Sequence, residues 1–269
     1  MDLFTLHRGT APLLISLPHD GEALPPEMLS RLTPGARRLP DTDWHVGRLY
    51  AFARELGASI LQPHYSRYLI DLNRSPDDLS LYPGQNTTGL CPTIEFNGAS
   101  LYVDGEAPTA GEIGQRVQSY WRPYHDALRG ELERLRAVHG RVLLWEGHSI
   151  RSVEPYLFEG RLPDFNLGTV SGASCATALQ RQIEAVFASQ RDYTWIANGR
   201  FQGGYITRNY GNPAAGIDAI QLELAQCNYM DEDSFAWDEE RAVPTQRVIR
   251  RLLEAALHYM GGDPMRVEA

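Results

Sequence analysis

The sequence predicts a single α/β domain that covers residues 1–269. Short apolar runs alternate with amphipathic segments along the chain, and this alternation is typical of a sheet covered by helices. No internal repeat, low-complexity tract or linker interrupts the pattern. A chain of 269 residues can bury roughly three quarters of its unfolded surface in one core, so one domain accounts for the whole length.

Short apolar runs predict six strands, at residues 13–17, 58–62, 68–72, 142–145, 194–197 and 219–224. The first run stops at a Pro-His-Asp-Gly turn that contains His19. The fourth is followed by Glu-Gly-His-Ser, which contains His148, so His19 and His148 each follow a predicted strand. The sixth run alternates apolar and polar residues and carries one carboxylate, Glu223.

Helical spacing of apolar residues predicts four helices, at residues 43–56, 112–139, 176–190 and 243–259. The first two are followed by Gly57 and Gly140, and glycine is the usual residue after the end of a helix. Two segments rich in glycine and polar residues, 75–111 and 199–211, are predicted to be irregular. The segment 75–111 is too long for a simple connection, so we expect an ordered surface excursion or a lid.

The charge and composition of the chain exclude several classes of protein. All 25 basic residues are arginine, so there is no lysine for a Schiff base, a P-loop or the ATP site of a protein kinase. The formal net charge of −9 argues against a nucleic-acid partner, because binding to phosphates needs a basic surface. No run approaches the ~20 apolar residues of a membrane span and no secretion signal is present, so we expect a cytoplasmic protein without a membrane partner. No sequence feature predicts an oligomeric state.

Three polar residues, His19, His148 and Glu223, lie at or near the ends of predicted strands. In an open α/β sheet, ligands bind in the crevice outside the carboxyl ends of the strands. Two histidines and a carboxylate that meet there could hold a divalent metal such as zinc, with water as a further ligand. A single histidine at a strand end is more often a hydrogen-bonded structural residue. With two such histidines, a metal site is as good an interpretation as a structural role.

Two acidic residues compete as a metal ligand. Glu22 follows His19 with the His-x-x-Glu spacing of zinc carboxypeptidases, although a solvated loop charge would explain it as well. Asp43 lies at the entrance of the predicted helix 43–56, from which it could turn towards a metal. The alternative role for Asp43 is an N-cap that binds free helix amides. The residues themselves leave both candidates open.

A group of arginines indicates a site for anions. Arg67 and Arg74 flank a predicted strand, and the Asn73-Arg74 pair suits a substrate carboxylate because a guanidinium can bind two carboxylate oxygens. Arg200 and Arg208 lie in the second glycine-rich segment, where glycines allow the backbone to approach a ligand. Taken singly, each of these arginines is more often part of a surface ion pair.

Six segments, in this order along the chain, resemble the N-formylglutamate deformylases, also called N-formylglutamate amidohydrolases: LLISLPHDG, LPDTDWHVGRLY, YSRYLIDLNR, EGHSIRSV, GRFQGGYITRNYG and IQLELAQCNYM. They extend from residue 13 to residue 230, so the resemblance covers most of the chain. The family is similar in turn to zinc carboxypeptidases and aspartoacylases. The resemblance therefore implies a three-layer α/β/α fold with a mixed central sheet, as in the zinc carboxypeptidases and other phosphorylase/hydrolase-like proteins.

The resemblance implies hydrolysis of N-formyl-L-glutamate to formate and L-glutamate, a step of histidine degradation. It also implies one divalent metal ion, zinc, held by His19, His148 and one acidic residue. The Asp-Thr-Asp-Trp-His segment is typical of the family, which favours Asp43 over the alternative Glu22. Two other functions stay open: a zinc amidohydrolase for another N-acyl amino acid or a short peptide, and a non-hydrolytic carboxylate-binding protein. The latter would have no use for a base such as Glu223 beside an anionic ligand.

Further roles follow from the same resemblance. Glu223 would be the general base for the attacking water, and Arg67 would stabilise the oxyanion. The implied substrate is a small dicarboxylate. Its two carboxylates would be held by Asn73, Arg74 and Arg208.

Overall fold

The computed structural model describes residues 2–79, 84 and 86–261. These residues contain seven strands that form one sheet: β1 (Phe4–His7), β2 (Leu13–Ser16), β3 (Ser59–Pro63), β4 (Val142–Ile150), β5 (Phe165–Gly168), β6 (Trp195–Ala197) and β7 (Ile217–Ala225). The order across the sheet is β1-β3-β2-β4-β7-β5-β6. Strands β3, β2, β4 and β7 are parallel neighbours, whereas β1 is antiparallel to β3 and β5 is antiparallel to β7. The mixed central sheet that the resemblance implies is confirmed.

Helices cover both faces of this sheet. They are α1 (Pro26–Leu29), α2 (Val46–Leu49), α3 (Ala110–Arg116), a π-helical turn (Val117–Trp121), α4 (Arg122–His139), α5 (Thr177–Ala188), α6 (Tyr205–Tyr210) and α7 (Glu239–Tyr259), with 3₁₀ turns at Ala36–Arg38, Ala51–Arg54, Pro213–Ala215 and Gln226–Asn228. Helices α2, α5 and α7 pack on one face, and α4 and α6 pack on the other. The molecule is therefore a three-layer α/β/α domain. Among the described residues, no helix has the length and apolar character needed to cross a membrane.

The sheet separates two apolar clusters. Two neighbouring residues of β2 show this separation, because Leu14 belongs to the cluster under α4 and Ile15 belongs to the cluster under α7. Side chains alternate between the faces of a strand, so a strand that is covered on both faces is apolar at every position. Both side chains are fully buried, and burial of one such side chain contributes roughly 1.5–3 kcal/mol. The continuous apolar run at 13–17 therefore identifies a central strand.

Most predicted elements are confirmed within five residues, and the largest difference is at β4, which continues from residue 145 to Ile150 and so includes His148. They are the strands at 13–17, 58–62, 142–145, 194–197 and 219–224 and the helices at 112–139, 176–190 and 243–259. Strands β1 and β5 are absent from the predicted set, because a polar residue, Thr5 in β1 and Asn166 in β5, interrupts each apolar run. The predicted irregular segment 199–211 contains the short helix α6, so that prediction is wrong for residues 205–210.

The predicted strand at 68–72 is wrong. This segment consists of turns, and Asp71 N donates to Leu90 O over 2.7 Å instead of joining a ladder. Its apolar side chains are nevertheless buried, with Ile70 and Leu72 in the cluster under α4. An apolar run therefore reports burial, and burial does not require a strand.

The predicted helix at 43–56 is wrong in its first turn and in its continuity. Helix α2 begins at Val46 and is followed by the 3₁₀ turn Ala51–Arg54. His45 precedes α2 with a left-handed φ of 63°, so Asp43 is not the N-cap of this helix. The side chain of Asp43 is consequently available for another role.

The segment 75–111 forms turns and isolated bridges, such as the one between Ile94 and Ser100, before α3 begins at Ala110. Residues 80–83 and 85 of this segment lie outside the described residues. Its role as a lid stays a prediction.

Candidate active site

The carboxyl ends of three neighbouring parallel strands bring the predicted polar residues together. His19 follows β2, His148 lies near the end of β4, and Glu223 lies opposite His148 in the register of β4 and β7. Their exposed fractions are 4%, 2% and 6%. All three line one cavity of about 90 Å³. This is the edge of an α/β sheet at which a ligand site is expected.

Asp43 joins the two histidines in a group suited to a metal ion. One potential ligand atom from each of His19, Asp43 and His148 lies within 4.8 Å of the others. His148 Nδ1 is 3.0 Å from Asp43 Oδ2, and His19 Nδ1 is 3.7 Å from the same oxygen. The second oxygen, Asp43 Oδ1, is buried and has no hydrogen-bond partner among the described residues. A buried carboxylate oxygen without a donor, beside two imidazole nitrogens, fits a zinc site with three protein ligands.

Each histidine of this group contacts a second carboxylate through its other ring nitrogen. His19 Nε2 lies 2.6 Å from Asp71 Oδ1, and His148 Nε2 lies 2.9 Å from Glu146 Oε1. Both Nδ1 atoms are then left on the side of Asp43. Metal-binding histidines commonly donate their outer N–H to a carboxylate, which orients the ring and raises its basicity. The outer contacts therefore also fit a metal site.

Asp71 and Glu146 are candidate functional residues that the motifs alone do not single out. A signal for Glu146 is its spacing, because side chains two residues apart in a strand share a face, and Glu146 therefore points the same way as His148. Thr207 Oγ1 donates to Glu146 Oε2 over 2.5 Å and holds this carboxylate from α6. For both Asp71 and Glu146, the signal available in the sequence was a charged residue within or directly after an apolar run.

The structure brings Asp43 to the two histidines and leaves Glu22 outside. Asp43 N donates to His19 O over 3.1 Å, which ties the segment before α2 to the loop after β2. Ser149 N donates to Asp43 Oδ2 over 3.1 Å and orients the carboxylate. Glu22 is exposed and does not belong to the metal-ligand group found among the described residues. The next residue, Ala23, forms a bridge with Tyr65 after β3.

The electrostatics of this group favour a positive charge. Burial alone would raise the pKa of Asp43, but the hydrogen bonds and charges of His148 and His19 lower it below its usual range. Burial alone would lower the pKa of His148, but Glu146 and Asp43 raise it well above its usual value. Without a metal, the group therefore holds a proton on His148. A divalent cation would supply positive charge in place of that proton.

Glu223 is the carboxyl group that faces this cluster from β7. Burial raises the pKa of Glu223 to about 8, against the lowering effect of the positive charge on His148 and with a further raising effect of Asp43. Gln221 Nε2 donates to Glu223 Oε2 over 3.3 Å. A cation bound by the histidines would lower this pKa towards neutrality, where a carboxylate exchanges protons with a substrate most effectively.

Arg67 reaches the same cavity and is held on several sides. Its Nη2 donates to Asp71 Oδ2 over 2.9 Å, and its Nη1 lies 3.6 Å from Asp43 Oδ1. The guanidinium carbon lies 4.7 Å from the centre of the Phe96 ring. Because Asp71 also contacts His19, one carboxylate connects Arg67 to the metal-ligand group.

Asn73 lines the cavity with a side chain that is fixed at both ends. Its Oδ1 accepts a hydrogen bond from Ile206 N over 2.8 Å, and its Nδ2 lies 3.1 Å from His148 Nε2. The close approach of α6 requires glycine at Gly204, because a Cβ atom there would lie 2.3 Å from Asn73 Nδ2. Gly204 therefore serves the packing of Asn73.

One arginine that lines the cavity is not the one that the sequence predicts. Arg74 lines the cavity, as the motif suggests. Arg208 is absent from the described residues that line it, and its Nε donates to Gly203 O over 2.9 Å. Arg200, from the same glycine-rich segment, lines the cavity instead, with its Nε donating to Leu157 O over 3.1 Å. Helix α6 begins between the two arginines, and the side chain of Arg208 folds back towards the N terminus of α6. The motif alone does not reveal this direction.

Imidazoles, carboxyl groups and guanidinium groups around one cavity are what acid-base hydrolysis of a charged substrate requires, and a hydrolase is the class of protein that the fold and the site define. Within that class, the chain belongs to the N-formylglutamate amidohydrolase family, whose model matches residues 11–230. The resemblance carried by the six sequence segments is thereby confirmed.

Two curated relatives match nearly the whole chain. The N-formylglutamate deformylase of Pseudomonas aeruginosa is 53% identical over 259 residues, which are 96% of this chain and 97% of the relative. The N-formylglutamate deformylase of Pseudomonas putida is 51% identical over 258 residues, 96% of each chain. Among solved structures, the N-formylglutamate amidohydrolase of Ralstonia eutropha JMP134 has a TM-score of 0.80 at 24% identity and covers 97% of this chain and 98% of its own. This last comparison confirms the fold.

Proposed function

We propose that this protein hydrolyses N-formyl-L-glutamate to formate and L-glutamate with the help of one divalent metal ion, zinc. The observation that carries the proposal is the buried group of His19, Asp43 and His148, which faces Glu223 across a cavity that arginines also line. Relatives that are 51–53% identical over nearly the full length carry the name of this activity.

The proposed metal ligands are His19, Asp43 and His148. Their donor set, two imidazoles and one carboxylate, is one that zinc accepts in catalytic sites. When bound, the metal would polarise the formyl carbonyl and lower the pKa of a water molecule. Asp71 and Glu146 would keep both imidazoles oriented by accepting their outer N–H groups.

Glu223 is the proposed general base and acid. Its carboxylate would take a proton from the attacking water and deliver it to the amide nitrogen as the C–N bond breaks, so that formate and a free amine leave. Arg67 is the proposed electrostatic stabiliser of the oxyanion, because Asp71 fixes its guanidinium beside Asp43. Both residues reach the cavity that contains the metal-ligand group.

The two carboxylates of the substrate would bind at arginines of the cavity wall. We assign one carboxylate to Asn73 and Arg74, and the other to Arg200, which takes the role that the motif suggests for Arg208. A charged hydrogen bond from a guanidinium to a carboxylate is strong and directional. The chain has a net charge of −9, so these local cations are needed to offset repulsion of a dianion.

The proposal is tested by formate release from the purified protein after metal removal and reconstitution with zinc, cobalt or iron. We expect formate and glutamate in equal amounts, with activity that depends on the added metal. N-acetylaspartate and a dipeptide, measured in parallel, should give a far lower kcat/KM. Binding of N-formylglutamate without formate release would instead identify a carboxylate-binding protein.

A further inference from the structure

The segment 69–74 forms part of the cavity wall without belonging to any described strand. It carries Asp71, Asn73 and Arg74, all of which line the cavity. Because this segment consists of turns, no β-ladder satisfies its carbonyl groups. Buried carbonyl groups need hydrogen-bond donors from elsewhere, and the source of those donors decides what holds the wall in place.

Three consecutive carbonyl groups in this segment each accept a hydrogen bond from a helical region. Leu72 O accepts from His125 Nε2 over 2.9 Å, and Arg74 O accepts from Trp121 Nε1 over 3.0 Å. The carbonyl between them, that of Asn73, accepts from the first backbone N–H of α6 over 3.3 Å. The backbone that presents Asn73 and Arg74 to the cavity is therefore held by two side chains and one helix start.

The π-helical turn Val117–Trp121 makes this arrangement possible. Arg116, at its start, donates to Leu69 O over 2.9 Å, and Trp121 and His125 donate to the same segment further along. In a regular α-helix, residues five apart differ in direction by about 140°, so Arg116 and Trp121 would face different surroundings. A π turn bonds residues five apart and brings such a pair to one side.

His125 and Trp121 pack against each other beside this segment. His125 is fully buried, and burial lowers its pKa to about 4, so its ring is neutral at neutral pH. A carbonyl oxygen only accepts, so the ring proton lies on Nε2, and Nδ1 accepts from Tyr210 OH over 2.9 Å. The ring stacks on Trp121 with centroids 3.7 Å apart. Neither His125 nor Trp121 is among the described residues that line the cavity.

We infer that Trp121 and His125 are positioning residues that hold Asn73 and Arg74 against the cavity and thereby set the affinity for a substrate carboxylate. They act through backbone carbonyl groups and touch neither the substrate nor the metal-ligand group. The identity of the substrate in this inference rests on the proposed function.

The test replaces one donor while keeping an aromatic ring. In zinc-loaded Trp121→Phe, the KM for N-formylglutamate should rise about tenfold, because one buried hydrogen bond is lost and its carbonyl is left unsatisfied. The kcat and the zinc affinity should change less than about twofold. The matched control is Trp195→Phe on the edge strand β6, a half-buried tryptophan outside the cavity. It should leave KM unchanged.

Two further measurements test the positioning role of Trp121 and His125. Hydrogen exchange of peptides covering 69–79 should be faster in Trp121→Phe than in the wild type or the control, with no substrate present. Tyr210→Phe removes the hydroxyl that lies 2.9 Å from His125 Nδ1 and 3.4 Å from His125 O, and should raise KM by about two- to threefold. Unchanged KM in both folded variants would overturn the inference, as would a parallel fall of kcat, zinc affinity and thermal stability. A wild-type protein that releases no formate would refute the proposed function, while the exchange experiment would still decide the positioning role.

Discussion

Two regions of the cavity wall are built in different ways. His148 and Glu223 lie in strands β4 and β7, whose backbones pair at nine consecutive positions. Arg67, Asn73 and Arg74 lie in a segment of turns, where side chains from the helices hold carbonyl groups. A backbone ladder survives most side-chain substitutions, whereas a bond from an indole or an imidazole disappears with one mutation. The strand region should therefore resist changes in its surroundings better than the turn region.

The two regions should also have different functions. On the proposed mechanism, the strand region carries the metal ligand His148 and the base Glu223, and Asn73 and Arg74 of the turn region bind a substrate carboxylate. Substitutions in the strand region should then change kcat or metal affinity, and substitutions of Asn73 or Arg74 should mainly change KM.

The largest effect is expected at Glu223. In Glu223→Gln the kcat should fall by about 10²–10⁴-fold, because the amide cannot accept a proton from water. The variant should retain its metal, since Glu223 is outside the metal-ligand group. Formate release and metal analysis measure the two properties. Near-normal turnover would remove Glu223 from the role of base.

A smaller effect is expected at the arginine of the glycine-rich segment. In Arg200→Gln the kcat/KM for N-formylglutamate should fall by about 10- to 100-fold through KM, since a charged hydrogen bond to the substrate is lost. Arg208→Gln is the matched control, because Arg208 is absent from the described cavity lining. N-formylglutamine, which lacks the side-chain carboxylate, should respond less to Arg200→Gln when Arg200 binds that carboxylate, and equally when Arg200 binds the α-carboxylate. Equal losses in the two variants would contradict the assignment of Arg200.

Asp71 and Glu146, the carboxylates that contact Nε2 of the two histidines, should increase the affinity for the metal. In Glu146→Gln the zinc affinity should weaken by about 10- to 100-fold, because His148 loses its anionic partner. Competition with a chelator gives this value, and KM at saturating zinc should change little. The exposed Glu133→Gln on α4 provides the control. An unchanged affinity in Glu146→Gln would show that this carboxylate does not support the histidine.

The pH dependence of zinc binding should have a defined sign. The pKa of His148 is raised in the metal-free protein, so zinc must displace a proton below that pKa, whereas Asp43 stays ionised. The apparent affinity should therefore fall as pH falls, by about tenfold per pH unit while His148 is protonated. Calorimetry in buffers of different ionisation enthalpy should detect about one released proton. An affinity independent of pH would contradict a protonated His148.

The local pattern of the sequence was sufficient for much of the fold and for the strand half of the site. Continuous apolar runs identify β2 and β4 because strands covered on both faces have no polar side. His19, His148 and Glu223 were predictable because residues at the carboxyl ends of parallel strands meet at one edge. The turns at 68–72 were not predictable from the sequence, since their apolar side chains are buried as deeply as those of a strand.

The sequence by itself determined the apolar runs, the helical spacing, the residue types at the strand ends and the family motifs, because each of these is a property of neighbours along the chain. The family motif favours Asp43 over Glu22, and the tertiary structure places Asp43 beside the histidines. The tertiary structure alone decided that Arg200 and not Arg208 lines the cavity. It also brought Trp121 and His125 to the carbonyl groups beside Asn73, Trp121 lying 47 residues from Arg74. These choices depend on where loops and helices meet in space, and hydrogen bonds between distant segments leave no periodic trace in the sequence.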